Sequence, residues 1–314
     1  MVDREEMCRD GKRYRTLARR LKETTGRRMV KIPLSSGCTC PNRDGTCGVG
    51  GCIYCTGRGG GEFAPRSGTL AEQYEKGCRA LEQKWPGADR VAYFQSFTNT
   101  YCTPHALRAL LEETEQLPGV RAVRLATRAD CLPEEAIAVL REANGRLPVT
   151  LELGLQTAND ETARRLNRGF AFAVFADACA RAKAAGLGVC IHLINGLPGE
   201  DAAQMIESAR AAARLRPEGI KIHMLHVLRG SALGRAYQEE PFALLTQEEY
   251  VSIVCGQLEV LPPETVIERL TGDGDRRRLL APDWTRNKRA VLNAIDRELA
   301  RRDTWQGRLW EESA

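Results

Sequence analysis

The stretch VTLELGLQT, residues 149–157, shows most directly which kind of fold this sequence encodes. Its residues alternate in character, as in a β-strand whose two faces meet different surroundings. One face carries Val149, Leu151, Leu153 and Leu155, and the other carries Thr150, Glu152 and Gly154. Two later stretches, 188–196 and 219–225, place His192, Lys221 and His223 opposite apolar residues in the same way. The apolar faces should pack against helices, so the polar faces are predicted to point inward and line a chamber.

Six strand-like stretches recur along the chain, with amphipathic helical segments between them. They are residues 30–36, 90–97, 122–130, 149–157, 188–196 and 219–228. This alternation predicts a parallel sheet covered by helices, which can be an open doubly wound sheet or a partial barrel. The polar inner faces favour the barrel. We therefore predict an α/β fold, a partial (β/α)6 TIM-like barrel with its functional site at the carboxyl ends of the strands.

Three regions are expected along the chain: an N-terminal helical segment at 1–28, the barrel at 29–240, and a helical C-terminal extension at 241–314 that packs on it. The 314 residues are 43% hydrophobic and 28% charged, which is ordinary for a globular protein. No apolar run is long enough to cross a membrane, and the charged N-terminus does not resemble a secretory signal. A cytoplasmic protein without a membrane partner is expected.

Twelve cysteines in a reducing compartment indicate buried thiols or metal ligands instead of disulfides. Cys78, Cys179, Cys190 and Cys255 fall within apolar patterns and are expected in the core. The net charge of +5 is concentrated in basic segments at 13–28, 274–290 and 297–302. These segments fit either solvated helix faces or a surface that contacts RNA phosphates.

The glycine-rich stretch CPNRDGTCGVGGCIYC, residues 40–55, carries four of the cysteines. A structural zinc site commonly uses two close cysteine pairs, whereas only Cys52 and Cys55 form such a pair here. An iron–sulfur cluster held by three thiolates needs one close pair, a third thiol and backbone N–H groups that offset the charge. Spacing alone leaves three possibilities open: a cluster, a zinc ion or inert thiols.

The same loop resembles that of radical S-adenosylmethionine (SAM) proteins of the YhcC/YtqA (MnmL-like) type, which are related to the radical SAM core of the Elongator catalytic subunit. The resemblance places the metal ligands at Cys40, Cys52 and Cys55, with eleven residues between the first two and two between the last. Tyr54 occupies the place of the aromatic residue that precedes the last ligand. Cys38 and Cys47 are additional to the family pattern.

Further motifs resemble the family's SAM-binding segments in the same order. Residues 93–101 take the place of the glycine-rich motif that holds the SAM amino group, although they depart from its common Gly-Gly-Glu form. Residues 152–170 resemble the motif of the fourth strand, and 192–200 resemble the glycine motif of the fifth. The SAM contacts implied by the resemblance are Tyr54, Ser96, Thr98, Asn99, Glu152, Gln156, Arg168 and Asn195. Residues 268–284 and the closing Gln306 and Gly307 are characteristic of this subfamily.

The resemblance implies a [4Fe–4S] cluster and SAM as cofactors, and an electron donor such as flavodoxin or ferredoxin. The reduced cluster would cleave SAM and release a 5′-deoxyadenosyl radical. The implied substrate is tRNA, in which carboxymethylaminomethyl-uridine at the wobble position would become aminomethyl-uridine. The Elongator reaction itself is not expected, because it uses an additional acetyltransferase domain. Two alternatives stay open: a radical SAM enzyme with a smaller substrate, and a zinc-stabilised RNA-binding protein without catalysis. No catalytic side chain is assigned from the sequence.

Overall fold

Seven parallel strands form the central sheet in the computed structural model of the protein, which describes residues 3–61 and 63–311. The strands are β1 Met29–Leu34, β2 Asp89–Phe94, β3 Val120–Thr127, β4 Val149–Gln156, β5 Gly188–Asn195, β6 Gly219–Met224 and β8 Val266–Arg269. Their spatial order is β1-β2-β3-β4-β5-β6-β8, so β1 and β8 are the edges of a curled, incomplete barrel. A separate antiparallel pair is formed by β7 Val227–Leu228 and β9 Leu279–Ala281. The predicted α/β partial barrel is confirmed.

Helices connect the strands and cover the outer face of the sheet. They are α1 Arg4–Cys8, α2 Leu17–Thr24, α3 Leu70–Glu82, α4 Pro104–Glu115, α5 Glu134–Asn144, α6 Asp160–Arg165, α7 Phe172–Ala184, α8 Ala202–Arg214, α9 Ala232–Glu239, α10 Gln247–Val260 and α11 Lys288–Arg301. Capping boxes begin α3, α8 and α10 at Thr69, Asp201 and Thr246. In each box the side chain accepts a backbone N–H that the helix itself leaves unpaired.

Strand β8 was not predicted, and it makes the sheet one strand wider than the six expected. It pairs in parallel with β6, where Ile220 lies opposite Ile267 and Lys221 lies opposite Arg269. Its four residues lie within the predicted C-terminal extension, 241–314, so this region contributes to the barrel wall. A stretch this short is recognised as a strand only through its neighbour. The proposed boundaries at 28 and 240 stay a prediction.

The predicted division between the two faces of the strands is confirmed. Leu151, Leu153 and Leu155 have no exposed surface and belong to the apolar core between sheet and helices. On the inner face of the same strand, Glu152 borders the barrel interior. Three of the four cysteines expected in the core, Cys179, Cys190 and Cys255, are fully buried, and Cys78 is half-buried.

Gln306 fastens the two ends of the chain to the barrel. Its side-chain oxygen accepts the Arg15 N–H at 2.9 Å, and its amide nitrogen donates to the carbonyls of Pro262 at 2.6 Å and Thr265 at 2.8 Å. The residue has no exposed surface. The subfamily motif at 306–307 therefore has a structural use. Among the described residues, no helix is both long and apolar enough to span a membrane.

Candidate active site: a cysteine loop above a basic chamber

A cavity of about 440 Å³ extends through the barrel, from the middle of the strands to the loops that follow them. It brings together the three predicted cluster ligands, Cys40, Cys52 and Cys55. Five of the eight predicted SAM contacts share its wall, namely Tyr54, Thr98, Glu152, Gln156 and Arg168. These residues come from four separate segments of the chain, and the parallel strands bring them to one place.

The other three predicted SAM contacts lie outside the cavity wall as the described residues define it. Asn195 exchanges two hydrogen bonds with the buried amide of Gln257, at 2.8 and 2.9 Å. Asn99 donates to the Ala126 carbonyl at 2.7 Å and accepts from the Ser36 hydroxyl at 2.6 Å. Both amides thus connect structural elements, and Ser96 is buried. A role of these three residues toward SAM stays a prediction.

The cysteine loop is held in shape by its own backbone and by the segment after α6. The Gly51 N–H donates to the Asn42 carbonyl at 2.7 Å, and Gly51 has a φ of +78°, which favours glycine. The Ile53 N–H donates to Leu166, and the Asn42 side chain donates to the Asn167 carbonyl at 2.5 Å. These bonds fix where the loop thiols stand relative to the chamber.

The separation of the thiols distinguishes between the two metal hypotheses. A single zinc ion with four ligands holds its sulfur atoms about 4 Å apart. Among the described residues, one set of three ligand atoms lies within 4.8 Å of one another, and it consists of Glu152, Cys190 and His192 instead of loop cysteines. A cluster binds each thiolate through a different iron, which separates the sulfur atoms more widely. The loop therefore fits a cluster better than a zinc ion.

The surroundings of Cys52 favour a thiolate that is bound to metal. Burial raises the pKa of this thiol, while a hydrogen bond with Tyr54 and the charge of Arg128 oppose the rise. The Asn42 amide nitrogen lies 3.7 Å from the Cys52 sulfur. A buried thiol with donors on several sides gains stability as an anion once a metal is present.

Cys38 and Cys47 differ from the three predicted ligands in position. Neither belongs to the described cavity wall. Cys47 is exposed, and its sulfur lies 3.8 Å from an Arg128 nitrogen. Cys38 is half-buried, and its pKa is lowered to about 6 chiefly by a hydrogen bond with Cys102. Both thiols have their own partners at the edge of the site.

Arg168 supports the part of the wall that follows β4. Its guanidinium donates to the carbonyls of Leu155 and Thr157, both at 2.6 Å, and to Phe170 at 2.8 Å. Only 1% of the residue is exposed. Between the two residues whose carbonyls are bound, Gln156 adopts a φ of +62°, which is uncommon for a residue with a side chain. Arg168 therefore holds a strained turn that sets Gln156 on the cavity wall.

Glu152 is the centre of a buried charge network below the cysteine loop. One carboxylate oxygen contacts Lys31 at 3.0 Å and Arg124 at 3.2 Å. The other contacts Lys221 directly and His192 at 2.8 Å, and it accepts the Tyr93 hydroxyl at 3.1 Å. Burial alone would raise the pKa of Glu152, but the charges of Lys31 and Lys221 hold it well below its usual value. Because the predicted SAM contact is so fully engaged, its main effect is to offset these cations.

Most members of this network were not predicted as site residues. Arg124 pairs with both oxygens of Glu268, and Lys31 lies 3.0 Å from the same carboxylate. Arg269 on β8 pairs with Asp273 at 2.8 Å. Lys31 alternates with Val30 and Ile32, so the strand pattern could have placed it inside. For Glu268 and Arg269 no such signal existed, because β8 itself was not recognised.

Comparison with known proteins agrees with this geometry. Residues 39–212 match the family model of the radical SAM superfamily, and residues 217–301 match that of the radical SAM C-terminal domain. YtqA of Bacillus subtilis is 42% identical over 308 residues, covering 96% of both chains. YhcC of Escherichia coli is 34% identical over 276 residues, covering 87% of this chain and 88% of that protein. Archaeal Elp3 of Methanocaldococcus infernus shares the fold at 17% identity, with a TM-score of 0.64 over 75% of this chain and 60% of that one.

The chain belongs to the radical SAM superfamily, in the group that includes YtqA and YhcC. The predicted family is thereby confirmed, and with it the two cofactors, a [4Fe–4S] cluster and SAM. The superfamily's chemistry is the reductive cleavage of SAM. Membership argues against a zinc-stabilised protein without catalysis.

Proposed function

We propose that this protein modifies tRNA, converting carboxymethylaminomethyl-uridine at the wobble position to aminomethyl-uridine. When bound, the cluster and SAM supply a 5′-deoxyadenosyl radical that removes a hydrogen atom from an unactivated C–H bond. The CH2 group between the amine and the carboxylate of the modification is the expected target. The observation that carries the proposal is a single cavity that joins Cys40, Cys52 and Cys55 to a basic interior.

The residues of this chain would hold the cofactors and keep water from the reaction. Cys40, Cys52 and Cys55 would bind three irons of the cluster, with Tyr54 and Arg128 offsetting the thiolate charge. Gln156 and the wall that Arg168 supports would border SAM. The middle of the barrel is closed by the buried network of Glu152, which leaves access through the loop end of the strands.

An RNA substrate is consistent with the charge at the open end of the barrel. The segment 276–278 follows the loop in which Asp273 lines the cavity, and it carries three arginines. The Arg277 side chain is 91% exposed. Exposed cations beside an opening can bind the phosphates that flank an inserted nucleotide.

The test is anaerobic reconstitution followed by nucleoside analysis. The protein should bind about four irons, cleave SAM when reduced by flavodoxin or dithionite, and convert the modified wobble uridine in tRNA. Mass spectrometry of digested tRNA should show aminomethyl-uridine increasing as its precursor decreases. Cleavage of SAM with unchanged wobble nucleosides would refute the tRNA assignment while leaving the radical SAM assignment intact.

A small carboxylate is the second candidate substrate, and the size of the chamber favours it. A volume of about 440 Å³ is typical of a site for one small ligand. If tRNA were the substrate, the whole modified nucleoside would have to enter this restricted space beside SAM. Transfer of deuterium from a labelled small substrate into 5′-deoxyadenosine, with none from labelled tRNA, would support this candidate.

A further inference from the structure

The middle of the chamber contains more cations than carboxylates. Three cations, Lys31, Arg124 and Lys221, contact two buried carboxylates, Glu152 and Glu268. A neighbouring, partly exposed group has two cations, Arg269 and Lys288, that share the carboxylate of Asp273. Each group has one more cation than carboxylates. A buried excess of one sign is costly unless an ion of opposite charge accompanies it.

The two buried carboxylates, Glu152 and Glu268, are already saturated by their contacts. Both oxygens of Glu152 and both oxygens of Glu268 contact cations. Burial lowers the pKa of Lys221 to about 8 even though Glu152 opposes the change, so the existing anions compensate this ammonium group incompletely. Another anion beside Lys221 would restore the balance.

His223 supplies an independent indication of where that anion lies. Its Nε2 atom is buried and has no hydrogen-bond partner among the described residues, although the residue lines the cavity. Buried polar atoms in folded proteins are nearly always paired, so a ligand in the chamber is the expected hydrogen-bond partner of this atom. His223 lies two residues from Lys221 on the inner face of β6, and Arg269 lies opposite Lys221 on β8.

We propose that Lys221, His223 and Arg269 form a subsite that binds a carboxylate of the substrate. The planar guanidinium of Arg269 suits a carboxylate, and a neutral His223 can donate through Nε2. The inference rests on the proposed function, in which this carboxylate belongs to the carboxymethyl arm of the wobble uridine. With its carboxylate held in the middle of the barrel, the neighbouring CH2 group would face the cysteine loop. The subsite thus positions the hydrogen to be removed.

The first test uses difluoroacetate as a carboxylate probe and follows its 19F NMR signal on the anaerobically reconstituted protein. The parent should bind the probe saturably. Replacing His223→Phe or Arg269→Gln should weaken binding about tenfold, the usual effect of losing one charge-assisted hydrogen bond. His105→Phe is the matched control, since His105 is exposed on α4, and it should bind like the parent. The subsite would be overturned if the parent showed no saturable binding, or if both chamber variants bound difluoroacetate as tightly as the parent.

The melting temperatures of these variants show whether weaker binding comes from a lost ligand contact or from poor folding. Because the Nε2 atom of His223 has no partner, His223→Phe removes no hydrogen bond made by that atom and should leave the melting temperature near that of the parent. The Arg269 side chain is 37% exposed and provides a second variant if His223→Phe folds poorly. Adding SAM should not displace difluoroacetate. Displacement would assign the subsite to the carboxylate of SAM and overturn its assignment to the substrate.

The second test compares two anticodon stem-loop RNAs, one with carboxymethylaminomethyl-uridine and one with its neutral carboxamide. The parent should bind the carboxylate RNA about tenfold more tightly, and His223→Phe should lose this preference. Equal affinity of the parent for both RNAs would overturn the subsite as a reader of the wobble nucleoside while leaving tRNA binding intact. Saturable difluoroacetate binding without any RNA binding would support the carboxylate subsite and refute the proposed tRNA function.

Discussion

At the scale of single residues, the loop cysteines differ in what surrounds them. Cys40, Cys52 and Cys55 border the chamber, whereas Cys47 is exposed beside Arg128 and Cys38 contacts Cys102. A cluster ligand must face the space that the cluster occupies. This difference separates the three thiols implied by the family pattern from the two additional ones.

We predict that Cys40→Ala, Cys52→Ala and Cys55→Ala each prevent stable cluster assembly, because two thiolates hold a [4Fe–4S] core poorly. Iron content and SAM cleavage after anaerobic reconstitution measure the effect. Cys47→Ala is the matched control and should retain about four irons. A cluster that survives Cys52→Ala but is lost in Cys47→Ala would show that the ligand set is assigned incorrectly.

A second residue-scale prediction concerns Gln306. Gln306→Ala should lower the free energy of unfolding by about 2–4 kcal/mol, since it leaves the Arg15 N–H and two buried carbonyls without a partner. Urea denaturation measures the change. Gln116→Ala is the control, because Gln116 is exposed at the end of α4. A loss below about 0.5 kcal/mol would mean that water replaces these bonds freely.

At the scale of elements, the turn between β6 and β7 packs against the loop at 271–275. A Cβ atom on Gly272 would lie 2.4 Å from the ring of His226, and one on Gly274 would lie 2.8 Å from it. Glycine is therefore required at both positions for close packing. The imidazole fills the space between two segments that the barrel brings together, and its protonation state matters for both.

We predict that this packing weakens in acid. Burial lowers the pKa of His226 to about 4, and the charge of Lys288 adds to the effect. An unfolded chain binds this proton near pH 6.5, so the stability contributed above that pH is lost as the pH falls toward 4, by up to about 3 kcal/mol. As the pH falls toward 4, the free energy of unfolding of His226→Gln should therefore decrease less than that of the parent.

Denaturation curves at several pH values between 7 and 4 provide the comparison. His192 also has a pKa lowered to about 4 by burial, so the parent-minus-variant difference isolates His226. His105→Gln serves as the control and should follow the parent. Parallel pH profiles for the parent and His226→Gln would contradict the prediction.

At the scale of the whole molecule, charge is distributed between the interior of the barrel and its open end. The interior cations pair with Glu152, Glu268 and Asp273, whereas Arg277 extends into solvent. Arg276 and Arg278 donate to the carbonyls of Arg286 and Arg229, and so they also hold their own loop. A triple substitution would mix structural and electrostatic effects. Arg277 alone is the sharper probe.

We predict that Arg277→Gln weakens tRNA binding and reduces the slope of log affinity against log salt by about 0.7–0.9, the contribution of one phosphate contact. SAM cleavage without substrate should be unchanged. Arg141→Gln is the control: Arg141 is exposed in the last turn of α5, which precedes β4 and lies at the opposite end of the barrel. An unchanged salt slope in Arg277→Gln would exclude this residue from the tRNA interface.

The sequence by itself determined the six longer strands and the inward side of Glu152, His192, Lys221 and His223, and it predicted the cysteine triad implied by the family motif. Alternation and motif spacing are local properties, and neighbouring residues suffice to read them. Only the tertiary structure decided that the four-residue strand β8 completes the sheet and that Asn195 pairs with Gln257. It also decided that the chamber has an excess of positive charge. That balance depends on side chains from β1, β3, β4, β6 and β8, which are far apart in the chain, and burial makes their charges interact strongly once folding brings them together.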